Sequence, residues 1–137
     1  MSDHMPSRPR LPALWFGLFG APAAWTVMFM VSYAMSAHSC YPHDTPLSTP
    51  TLGGLRGLIA AVMMGAIVVA AAAGAVALAA WRATNDEVPG IEGARASHEV
   101  RAHWMALGGM LVSILFLFLI ALSGVPVLMV PPCSYGA

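Results

Sequence analysis

Residues 57–81 read GLIAAVMMGAIVVAAAAGAVALAAW, with no Asp, Glu, Lys, Arg or His. About 20 apolar residues, each rising ~1.5 Å, cross the ~30 Å hydrocarbon layer of a bilayer, so this run predicts a transmembrane helix. Turned by ~100° per residue, Gly57, Ala61, Gly65, Ala72, Ala75 and Ala79 fall on one side, with Ala66, Ala70, Ala73 and Ala77 roughly opposite. Hydrophobic drive between helices is weak in lipid, and small residues let backbones approach closely enough for van der Waals packing. Both flanks, Gly57/Ala61/Gly65 and Ala66/Ala70/Ala73/Ala77, are therefore expected to pack against neighbours. An alanine-rich composition would also write such a helix with no partner in view.

Outward from this run, the whole chain has the same character. Of 137 residues, 58% are hydrophobic and 9% charged. Soluble domains carry about 25% charged residues, so this chain cannot clothe a water-facing surface and reads as an integral membrane protein. The formal net charge is zero and every basic residue is Arg. No basic patch points to nucleic acid.

The expected organisation is a tail (1–10), helix 1 (11–37), a loop (38–54), helix 2 (55–81), a connection (82–103), helix 3 (104–130) and a tail (131–137). A signal peptide at the N-terminus is disfavoured, because the apolar run outlasts an h-region of about 7 to 15 residues. Pro22, with Gly17 and Gly20 shortly before it, should kink helix 1. The carbonyl freed about four residues back is a candidate acceptor for the indole N–H of Trp25. Arg95 and Glu99, spaced i,i+4, suggest that helix 3 begins before the membrane does, near Ala94 or Ser97.

Arginine counting sets the orientation. Arg8, Arg10, Arg82, Arg95 and Arg101 lie on one side and Arg56 on the other, which places the N-terminus in the cytoplasm. Trp15, Trp81 and Trp104 then mark the inner interface, and Tyr33, Tyr41 and Tyr135 the outer one. The fold class is all-α: three transmembrane helices running up-down-up in a bacterial inner membrane, with loop 38–54 and the C-terminus in the periplasm.

Cys40 and Cys133 fall on that oxidising side and are expected to form a disulfide. Met35, His38, Cys40 and His43 give M-x2-H-x-C-x2-H, a set of soft and borderline ligands that copper or zinc accepts. The two readings compete for Cys40, and the favoured one has no cofactor, with copper as the alternative. Haem ligation is disfavoured. His38 and His43 sit at one edge and His98 and His103 at the other, whereas a bis-His site needs a pair at one depth. The membrane anchors of succinate dehydrogenase, similar in size, carry an intramembrane His and an Asp-Tyr pair absent here. No Asp, Glu, Lys or Arg lies within the apolar runs 11–37, 57–81 and 104–130, which argues against a proton or ion pathway. Arg56 is expected to snorkel; a pair with Asp44 or an acidic partner are its alternatives.

The segments RLPALWFGLFGAPAAW (10–25) and VSYA (31–34), a loop Cys at 40 and GVPVLMVPPC (124–133) resemble a family of small three-span bacterial membrane proteins. That family is associated with cytochrome-oxidase-type respiratory complexes and their assembly gene clusters. The resemblance implies a non-catalytic accessory or assembly subunit whose partners are lipid and other membrane subunits, and it carries no catalytic residues. Two other readings stay open: a periplasm-facing copper-handling factor and a homo-oligomeric small membrane protein. Two sister helices cannot cover both flanks of helix 2, so Ala66, Ala70, Ala73 and Ala77 are expected to face a neighbour from another chain.

Overall fold

The computed structural model describes residues 11–44, 46–85, 94–131 and 133. They form three helices, α1 (Leu11–Cys40), α2 (Leu55–Asn85) and α3 (Ala94–Met129), with one 3₁₀ turn at Pro42–Asp44 and no strand among the described residues. Each helix holds a stretch long and apolar enough to cross a membrane: Leu11–Cys40, Leu55–Ala83 and Val100–Met129. These are the features of a multi-pass membrane protein. The helices outrun the apolar runs that predict them, because helix-compatible residues continue past the last apolar one. In α1 the ladder carries on to Tyr41, whose N–H donates to Ala37 O at 2.9 Å. The tail 1–10, the side chains of Asp44, Arg95, His98 and Glu99, and Tyr135 lie outside the described residues.

Small side chains set the packing. Gly17 near the start of α1 meets Ala77 near the end of α2, and a Cβ on Gly109 of α3 would lie 2.9 Å from Gly17 O. So α1 and α3 run the same way and α2 runs against them, with three backbones converging at this level. The buried positions repeat at steps of three, four and seven: Leu14, Gly17, Ala21 and Met28 on α1, Ala66, Ala70, Ala73, Ala77 and Ala80 on α2, Ala106, Gly109, Ser113 and Ile120 on α3. That spacing is the seam of helices packed nearly parallel or antiparallel.

The structure reverses the expected roles of the two flanks of α2. Ala66, Ala70, Ala73 and Ala77 are buried within the chain, at 7%, 0%, 0% and 2% exposure, and leave no face for another molecule. Gly57, Ala61 and Gly65, expected to pack, are exposed, as are Ala72, Ala75 and Ala79. The cause lies on the sister helices. Gly17, Gly20 and Gly109, with Ser113, stand opposite the alanine stripe, where a Cβ on Gly20 would come within 2.9 Å of Ala73 Cβ. Nothing lies within 4 Å of where a Cβ on Gly57 or Gly65 would be.

Trp25 also departs from expectation. Its indole Nε1 is buried and makes no hydrogen bond. Pro22 frees the carbonyl at Leu18, about 10 Å back along the axis from Trp25 and beyond an indole's reach. The ring instead stacks on Phe29 at 5.8 Å and meets Phe116 of α3 edge-on at 5.7 Å. Thr26 Oγ1 donates to Pro22 O at 2.9 Å, so the hydroxyl back-bonds on its own helix. A second proline, Pro126, sits inside α3.

Candidate functional site

The end of the bundle that carries the cysteines concentrates the polar structure. A helix leaves its last four carbonyls without intrahelical partners, and loop 46–54 supplies some to α1. Leu47 N–H donates to Cys40 O at 2.9 Å, Thr51 N–H to Ser39 O at 3.1 Å, and Thr51 Oγ1 to the same oxygen at 3.3 Å. The loop thus folds back over the helix it leaves. Gly54 then starts α2, its carbonyl accepting from Leu58 N–H at 3.1 Å. Its φ of 78° is a conformation glycine adopts without a Cβ penalty.

Cys40 and Cys133 are joined in a disulfide, with their Cα atoms 5.3 Å apart and both residues buried. It ties the end of α1 to the segment after α3. Arg56, on the first turn of α2, makes a second tie: its guanidinium donates to Val130 O at 3.1 Å. This caps the carbonyl end of α3, where a helix carries partial negative charge.

The four residues of the metal pattern are not assembled as a metal centre. The bridge to Cys133 takes the Cys40 sulfur, His38 is exposed at the end of α1, and Met35 is half-buried. His43 is exposed in the left-handed region at φ 59°. Among the described residues no group of three or more His, Cys, Asp or Glu could hold a metal ion. His103 lies at the other end, with its ring 6.2 Å from Trp81 and 6.4 Å from Trp104.

Between its two closures, at Gly17/Gly109 and at the disulfide, the α1–α3 seam opens into a cleft. Its deep part, about 380 Å³, is lined by Met28, Ser32 and Ser36 of α1, Ile59 and Met63 of α2 and Ser123 of α3, among others. Its outer part, about 730 Å³, is lined by residues that include Cys40, Val130 and Cys133. Tyr33 and Ser36 line both parts. Ser123 Oγ donates to Leu119 O at 2.8 Å, but the buried Ser32 Oγ makes no hydrogen bond. Sequence reasoning missed Ser32 and Ser36; their i, i+4 spacing was its available signal.

The fold and its cysteine end define a class: an all-helical, multi-pass membrane protein clamped at one end by a disulfide and a helix cap. The chain matches no protein-family model, no curated protein and no solved structure.

Proposed function

We propose that the chain is a non-catalytic accessory or assembly subunit of a bacterial respiratory membrane complex of haem-copper oxidase type. On this reading it lies in the inner membrane with its N-terminus in the cytoplasm, and the disulfide end faces the periplasm. The resemblance of residues 10–25, 31–34 and 124–133 gives the class of complex. The observation that carries an accessory role is the outward face of α2, where Gly57, Ala61, Gly65 and Ala72 stand exposed beside bulky Val68 and Val69. Such a face admits a neighbouring helix at close range, and the rest of the surface is apolar enough to meet lipid. The periplasmic end, held rigid by two ties, would fix how the subunit presents loop 38–54.

Copurification from native membranes, with partners identified by mass spectrometry, tests the reading. Oxidase subunits are the expected partners, and Ala61→Phe should deplete them while the Cys40–Cys133 bridge stays intact. Recovery of this chain alone would overturn the proposal.

A further inference from the structure

The cleft between α1 and α3 has the dimensions and chemistry of a lipid site. From Cys40 at its outer end to Met28 at its deep end α1 rises about 18 Å, close to one leaflet of the ~30 Å hydrocarbon layer. The deep wall is apolar, formed by Met28, Ile59 and Met63, while Tyr33 and Ser36 bring hydroxyls to the middle and outer levels. Tyr33 and Ser36 line both parts, which puts their hydroxyls at the level of a glycerol-ester region.

Arg56 lies beside the outer part of this cleft without lining it. Arg56, Ile59 and Met63 are spaced i, i+3, i+7 and share a face of α2, so the arginine sits directly outward of the deep wall. Its hydrogen bond to Val130 O fixes it beside a residue that lines the outer part. That bond uses one of the five N–H donors of a guanidinium and leaves others for an anion. A guanidinium is a cationic fork that matches phosphate oxygens. No Asp, Glu, Lys, Arg or His lines the deep part, which suits an acyl chain below a charged head.

We propose that this cleft binds one anionic phospholipid, with its phosphate on Arg56, its glycerol-ester region at Ser36 and Tyr33, and an acyl chain reaching Met28 and Met63. The inference is independent of any partner complex. Native mass spectrometry of the full chain, released from detergent with equimolar phosphatidylglycerol and phosphatidylcholine, reads it directly. One retained phosphatidylglycerol is expected, favoured roughly 10-fold over phosphatidylcholine and weakened roughly 10-fold by Arg56→Gln. Ser36→Phe, which fills the cleft with Arg56 in place, should abolish retention; if that variant loses helix content, Val127→Trp fills the same space from α3. Leu128→Phe, on an exposed face, should change nothing. Millimolar inorganic phosphate should not displace the lipid. Equal retention of phosphatidylcholine, unchanged retention in Arg56→Gln or in a folded cleft-filled variant, or displacement by phosphate would each overturn the proposal.

Discussion

Two flanks of one helix, alike in composition, have opposite fates. Ala66, Ala70, Ala73 and Ala77 are sealed between α1 and α3, whereas Gly57, Ala61, Gly65 and Ala72 look outward. Small residues confer the capacity for close approach. Which side uses it is decided by the surface opposite, here Gly17 and Gly20 of α1 and Gly109 and Ser113 of α3.

The largest expected effect breaks this contrast directly. Ala70→Phe puts a ring at a position with no exposure, and overpacking of this size should cost about 3 kcal/mol or more and deplete folded monomer. Ala72→Phe, two positions on but facing out, should stay within about 0.5 kcal/mol. Unfolding of both variants in mixed micelles, followed by circular dichroism, compares them. Equal damage would mean that the inward face of α2 is misassigned.

A finer probe is the convergence itself. Gly109→Ala would bring a methyl to 2.9 Å from Gly17 O, a backbone atom that cannot swing aside. A destabilisation of about 1 to 3 kcal/mol should follow. Gly74→Ala, whose new methyl would meet Ser113 Cβ at 3.2 Å, should cost less. If Gly109→Ala unfolds at the wild-type midpoint, α1 and α3 do not touch there.

The disulfide contributes through the unfolded state. Bridges in soluble proteins typically add ~2–4 kcal/mol, mostly by restraining the unfolded chain. Helices that stay threaded through a bilayer already restrain that reference, so Cys133→Ser should cost only about 1 kcal/mol. Arg56 would still hold α2 to the end of α3. A loss approaching 4 kcal/mol would show that the bridge, not helix packing, holds the fold.

Much of this architecture is legible in the sequence, and the remainder is hidden for definable reasons. Charge-free runs delimit three helices because hydrocarbon excludes ionised side chains whatever the neighbours are. The facing of α2 is not legible, since each flank satisfies the same test of size and only the glycines of other helices separate them. Leu55 and Ile59, which continue the alanine stripe inward at the cysteine end, were the weaker available clue. The acceptor for Trp25 is not legible either: a carbonyl freed by Pro22 is near in sequence yet ~10 Å away along the helix axis. The tie from Arg56 to Val130 O joins residues 74 apart, and no local pattern announces it.

The smallest expected effect distinguishes a free outward flank from a used one. Nothing lies within 4 Å of a Cβ placed on Gly57, so Gly57→Ala adds no clash within the chain. It replaces the more costly helix residue with the best one, which should stabilise the isolated protein by up to about 1 kcal/mol. A partner helix seated on this face would meet the added methyl at its closest approach. The two measurements should therefore diverge: a slightly higher unfolding midpoint for the purified chain and lower recovery of partner subunits from native membranes. A lower midpoint in the purified chain would show that the Gly57 flank is already packed, and the contrast between the two faces of α2 would fall with it.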